Sequence, residues 1–237
     1  MKRWCYGKGV SLLLVLTVLL AGCTSLGKRS PEEWLSLSYS GLAAMDQYAF
    51  SGSMSIGVEN GVVIKPQMFD GKVVNHKQLT IQSDKSEPLN WNPVEVLKSL
   101  SNTHESVEIV ADGELDPSGA ETLTLRVQEQ SGVSKERWSR MLKGQMEQLG
   151  LQQTQRGAGA AGAEKSKLLK NASNELNEML NTLEVQTQYD IVIDKRKLVP
   201  LKVEEKANFL YHRKEKQVKE FRHALVRFQS FDGAAKP

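Results

Sequence analysis

Tyr48-Ala49-Phe50-Ser51-Gly52-Ser53-Met54-Ser55-Ile56-Gly57-Val58 reads with a period of two. Tyr48, Phe50, Met54, Ile56 and Val58 fall on one side, and Ala49, Ser51, Ser53 and Ser55 on the other. Successive side chains of a β-strand point to opposite faces, so this stretch is a strand with one apolar, covered face and one small, polar face. Asn60-Gly61 follows, and both positions tolerate positive φ. The dipeptide predicts a hairpin and an antiparallel return through residues 62–75, with Pro66 marking an edge or a bulge. A further reversal at Asn75 to Lys77 leads into the alternating Leu79-Thr80-Ile81-Gln82.

Upstream, Ser30 can cap a helix, Pro31 suits its first turn and Glu33 can reach back, which predicts a helix from Pro31 to about Asp46 with Trp34, Leu35, Leu42 and Met45 as its apolar stripe. Downstream, Asn92-Pro93-Val94-Glu95 starts a short helix whose Val96, Leu97 and Leu100 face inward. Two more strands follow, carrying Val107, Ile109 and Ala111, then Leu123, Leu125 and Val127, joined by the turn chemistry of Asp116-Pro117-Ser118-Gly119. At Ser134 the period changes: Trp138, Met141, Leu142, Met146 and Leu149 have helical spacing up to about Gly150. The Gly/Ala run at 156–163 has no side chain large enough to pack and reads as a mobile linker. A second amphipathic helix carries Leu168, Leu169, Leu176, Met179, Leu180 and Leu183, so residues 134–183 form a helical insertion. Period two then returns through Val185, Thr187, Tyr189, Ile191 and Ile193, a turn at Asp194 to Lys197, and Val199, Leu201, Val203, Ala207, Phe209 and Tyr211. In the last strand, about Val218 to Gln229, Phe221, His223 and Leu225 share one face while Val226 and Phe228 share the other, which predicts a bulge. The fold class is therefore α+β: a curved antiparallel sheet forming an incomplete β-barrel covered by helices. One domain is expected over 31–232, with a disordered tail at 233–237.

The first thirty residues have another purpose. Lys2, Arg3 and Lys8 precede an apolar run from Val10 to Leu20, too short for a membrane-spanning helix and suited to a cleaved export signal over 1–22. Leu20-Ala21-Gly22-Cys23 resembles the bacterial lipobox, which implies a diacylglycerol on the Cys23 thiol and cleavage before it. Cys5 leaves with the signal, so no disulfide, redox pair or cysteine zinc site is expected in the mature chain. Residues 23–30 make a polar tether. The expected location is extracytoplasmic, and the chain's resemblance to envelope lipoproteins implies the outer face of the cell membrane. The precursor charge of +3 is that of the three basic residues of the signal, so the mature chain is neutral and nucleic acid is not an expected partner. Acidic residues crowd 105–121 and basic ones 195–222, as solvated strand faces do.

Catalytic patterns are missing. His76, His104, His212 and His223 form no pair spaced for a metal, and no nucleophile elbow or phosphate loop is present. Asp194 with Glu204 or Glu205 is the one conceivable acid/base pair, and carboxylates at strand turns are usually solvated. No enzyme activity, metal or cofactor is expected beyond the covalent lipid.

The closing segment, Tyr189-Asp190-Ile191-Val192-Ile193-Asp194-Lys195 followed by Leu198-Val199-Pro200-Leu201-Lys202, together with the N-terminal helix and the strand at Tyr48, resembles the LolA/LolB-like superfamily of lipoprotein carriers and lipid-binding lipoproteins. The resemblance implies a half-barrel whose concave apolar face is plugged by helices and in several members holds acyl chains. Carried onto this chain, Tyr48, Phe50, Met54, Ile56, Leu79, Ile81, Leu123, Leu125, Tyr189, Ile191 and Phe209 would line an apolar cavity for a lipid or acyl ligand. A filled core accounts for the same stripe. The alternative function is a tethered, non-catalytic module that docks an envelope protein.

Overall fold

In a computed structural model, residues 29–58, 65–83, 92–154 and 160–231 are described. The signal segment, Cys23 with its lipobox residues Leu20, Ala21 and Gly22, the Asn60-Gly61 turn, residues 156–159 of the linker and the tail at 233–237 lie outside the described residues.

Helix α1 spans Pro31–Ala44, and strands β1 (Tyr48–Val58), β2 (Gln67–Val74) and β3 (Gln78–Ser83) follow as a meander. Helix α2 (Pro93–Thr103) begins at Asn92, whose side-chain oxygen accepts from the amides of Val94 at 3.1 Å and Glu95 at 3.4 Å. Next come β4 (His104–Leu115), β5 (Glu121–Glu129), α3 (Ser131–Thr154), α4 (Ala160–Asn181), β6 (Glu184–Asp194), β7 (Val199–Arg213) and β8 (Lys216–Gln229). The eight strands form one antiparallel sheet in the order β3-β2-β1-β8-β7-β6-β5-β4. It is not closed: β3 and β4 are its edges, and α2 stands between them in the chain, linking one edge to the other. This is an α+β half-barrel.

Side chains explain the curvature. Gly71 lies opposite Phe50, and Gly52 opposite Phe69, in the β1–β2 ladder. A Cβ on either glycine would collide with the facing ring. The rings thus lie over bare backbone, as they do where a sheet bends. With Tyr48 and Phe228 they form a chain of tilted and edge-on aromatic contacts at 6.0–6.5 Å between centroids. Trp34, Leu35 and Leu42 of α1 and Leu97 and Leu100 of α2 join this cluster from the concave side. Gly41 allows α1 to lie directly on the β6–β7 turn, because a Cβ there would strike the Leu198 carbonyl. That turn is shaped by Asp194, whose carboxylate accepts from the amides of Arg196 at 2.9 Å and Lys197 at 2.8 Å. Asp116 does the same for β4–β5, accepting from Ser118 and Ala120.

Several expectations need correction. Pro66 precedes β2 rather than interrupting it, and β2 is an interior strand because β3 covers its other side. α3 starts at Ser131 and runs to Thr154, and α4 begins at Ala160, so residues 160–163 of the expected linker are helical. Alanine is the best helix former, and α4 lies against α3, so the run is helix where flexibility was expected. No bulge breaks β8: its pairing is continuous with β7 from Arg227 to Lys216 and with β1 from Gln229 to Glu220. The apolar alternation fails there because two inward positions, Glu220 and Arg222, are charged. Register shifts fall instead in edge strand β4, where Ile109 is exposed, and in the β6–β7 ladder between Val192 and Ile193. Irregular pairing of this kind blunts an open edge.

Candidate functional site

Following the ladders across the concave face gives one row after another. Leu125, Ile191, Val203 and Val226 make an apolar row, continued by Gly52 and Phe69. The next row, Val127-Tyr189-Glu205-Ala224-Met54, contains a carboxylate. The third holds Thr187-Ala207-Arg222-Ile56, and the fourth Val185-Phe209-Glu220-Val58. The face therefore passes from a dry core into a polar belt and then into a second, smaller apolar cluster.

α3 sits on the belt. Ser134 Oγ donates to Glu129 Oε2 at 2.5 Å and contacts Thr187 Oγ1 at 3.0 Å, all three residues being buried. Arg137, one helical step on, donates to both oxygens of Glu129 at 3.2 and 2.7 Å, to Tyr189 Oη at 2.9 Å and to Glu205 at 3.4 Å. Tyr189 in turn donates to Glu205 at 3.0 Å. Arg222 of β8 approaches Glu205 at 4.0 Å, and its guanidinium carbon lies 4.6 Å from the Trp138 ring centre. Arg137 flanks the same ring at 5.1 Å. Arg222 Nε and Trp138 Nε1 are buried without a hydrogen-bond partner. Burial pushes the Tyr189 phenol well above its ordinary range, and the Glu205 charge raises it further. Burial also lowers the Arg222 guanidinium, against the pull of Glu205. Two buried carboxylates and two guanidinium groups balance in charge, so the belt is a clasp between α3 and four strands, β5 to β8.

Beside the clasp lies a cavity of about 730 Å³. Its apolar lining is Leu183, Val185, Phe209, Leu210 and Phe221, and its polar rim includes Ser131, Gly132 and Lys135 from the start of α3, Lys219 and Glu220. Trp138 stands behind Phe209, edge-on at 4.9 Å. Glu220 is engaged by the Tyr211 hydroxyl at 2.8 Å. A Cβ at Gly132 would meet no atom within 4 Å.

The residues expected to line a cavity are distributed differently. Tyr48, Phe50, Leu123, Leu125, Tyr189 and Ile191 are buried together in the main core, where α1 and α2 side chains cover them. Met54, Leu79 and Ile81 pack at its margin, and Ile56 is 42% exposed. Phe209 alone of the eleven lines the 730 Å³ cavity. Glu204 and Glu205 point to opposite faces: Glu204 belongs to an outer charge ladder with Lys202, Lys206 and His223, and Asp194 caps its turn. Among the described residues no group of three metal-ligating side chains is present. No described helix is long and apolar enough to cross a membrane. The crowded acidic and basic segments meet through Lys195, which bonds Asp112 at 2.8 Å and Glu121 at 2.5 Å.

Sequence reading missed the clasp, although it left a trace. Within the alternation Val199, Leu201, Val203, Ala207 and Phe209, Glu205 occupies an inward position. A carboxylate there requires a buried cation, and Arg137 sits on the same helical face as Trp138 and Ser134.

No family model matches the chain, and no curated protein matches it. Among solved structures, LprF from Mycobacterium bovis aligns with a TM-score of 0.35 at 9% identity, over 89% of this chain and 97% of that one.

Proposed function

We propose that this chain is a lipid-anchored, non-catalytic protein of the cell envelope, tethered through a diacylglycerol on Cys23, and that it holds a lipid or acyl chain in the cavity beside the clasp. The cavity carries this reading. Its volume of about 730 Å³ lies within the range of small-molecule sites, and its apolar walls end in a polar rim that holds Ser131, Lys135, Lys219 and Glu220. An acyl chain fits such walls, with its polar head at the rim. Burying about eight methylenes contributes roughly 6 kcal/mol, which corresponds to a Kd of about 40 μM before the cost of association is subtracted, so the apolar walls by themselves give an affinity weaker than that. The main core is a poorer candidate, because α1 and α2 already cover it.

The test is native mass spectrometry of the chain from residue 23 with Cys23→Ser, purified without detergent. A hydrophobic adduct at one per chain is expected, and so is its absence from Gly132→Trp, which fills the open space at the rim. A parent protein that arrives bare and takes up no added fatty acid overturns the reading.

A further inference from the structure

Four charged side chains line the cavity beside the clasp, Lys135 and Lys219 against Glu184 and Glu220, so its wall is balanced in charge. Glu220 faces inward, in the row that begins with Val185 and Phe209, where the alternation of β8 calls for an apolar residue. The Tyr211 hydroxyl donates to its Oε1 at 2.8 Å. Burial, and then this bond, push the Tyr211 phenol up to about 12, so it remains a donor and Glu220 Oε2 is left for another group. Lys135 is half-buried and follows Ser134, which is buried in the clasp, so the clasp fixes the backbone from which this ammonium reaches the cavity. Among the described residues, Lys135, Glu184 and Glu220 take part in no ion pair.

A half-buried charge without a counter-ion depends on the water around it. The head of an acyl ligand that settles at the rim displaces that water and meets both signs. A carboxylate head satisfies Lys135 and confronts Glu220 and Glu184, while an ammonium head does the reverse. A glycerol head leaves both signs unpaired. A head that carries an anionic oxygen group and an ammonium meets each with its opposite, and charge-assisted hydrogen bonds are about twice as strong as neutral ones.

We propose that the cavity selects an acyl amphiphile with a zwitterionic head, its ammonium on Glu220 and its anionic group on Lys135. This rests on the reading of the cavity as an acyl site and adds what chooses the ligand. The apolar walls hold the chain, and the two unpaired charges decide which head group is kept.

The test uses the chain from residue 23 with Cys23→Ser, which retains the compact unit Pro31–Pro237 and carries no lipid of its own. Adduct formation is titrated by native mass spectrometry with three lipids that share a myristoyl chain: lysophosphatidylethanolamine, lysophosphatidylglycerol and monomyristoylglycerol. The first is expected to bind on the order of tenfold tighter than either of the others, the worth of one hydrogen bond to a charged group. In Glu220→Gln, where Tyr211 still finds an acceptor, the ratio of the two phospholipid affinities should fall to about one, and because both are read in one preparation a loss of stability does not enter. Lys135→Met should weaken both phospholipids alike, and unaltered affinities there refute its role. Equal or tighter binding of lysophosphatidylglycerol by the parent overturns the proposal and leaves the acyl cavity in place. A preference that survives Glu220→Gln overturns it too, since another group would then hold the ammonium. If none of the three forms an adduct, the acyl reading itself fails and the proposal falls with it.

Discussion

Replacing Arg137 by methionine tests the clasp. Met keeps the stem of the side chain and removes the charge, leaving Glu129, with a side chain 1% exposed, and Glu205, at 3%, without their shared cation. Removing one partner of a buried ion pair costs roughly 3–5 kcal/mol, because the remaining charge stays in a poor solvent. For a chain of this size each kcal/mol moves the melting temperature by about 2–4 °C, so a fall of roughly 6–20 °C is expected. The assay is urea unfolding followed by tryptophan fluorescence and circular dichroism in parallel. Arg140→Met is the control. Arg140 makes an ion pair of the same 2.7 Å length with Glu136, but the two side chains are 76% and 73% exposed, and its loss should be indistinguishable from the parent. Adding Glu205→Gln to Arg137→Met should recover part of the deficit, since one uncompensated charge is then gone. If Arg137→Met and Arg140→Met lose stability alike, burial is not what gives the clasp its energy and the account of the belt is wrong.

Three other outcomes follow from the same structure. Gly132→Trp should keep the parent's urea midpoint while excluding a fluorescent fatty acid, because its side chain enters open space at the cavity rim; unchanged uptake would move the site elsewhere. Gly71→Val should cost about 1–3 kcal/mol by driving a branched side chain into the Phe50 ring, read as a lowered urea midpoint, whereas a neutral result would mean the ring can swing away. Burial raises the Glu204 carboxyl, but hydrogen bonds from Lys206 and His223 and the charges of Lys206 and Lys202 outweigh it and bring it down to about 2. A carboxyl lowered on folding stabilises above its unfolded value and loses that contribution as pH falls toward its folded one. Thermal melts should therefore show the parent losing more stability than Glu204→Gln between about pH 4.5 and 2, and parallel curves would remove the ladder from the acid response.

Local chemistry was legible where its signal is local. The strand from Tyr48 to Val58, the cap at Asn92 and the turns at Asp116 and Asp194 are each written within a few residues, and the structure has them where the sequence places them. The limits of α3 and α4 were less legible, since a Gly/Ala run is compatible with linker and helix until a neighbouring helix is there to pack on. Strand β8 was misread for a related reason: a sequence period identifies a buried face by its apolar residues, and Arg222 is buried and charged.

By itself, then, the sequence determined the class of the fold, the alternation of covered and open faces, and the order of helices and strands along the chain, because periodicity and turn chemistry act over one or two turns of backbone. Only the tertiary structure decided that β1 lies beside β8, that Glu205 and Arg137, 68 residues apart, share a proton donor network, and that α1 and α2 cover the main core while a cavity stays open at the foot of α3. The physical reason is the same in each case. A pattern states which side chains share a face, and the cost of burying a charge or an apolar surface is settled by what the rest of the chain brings against it.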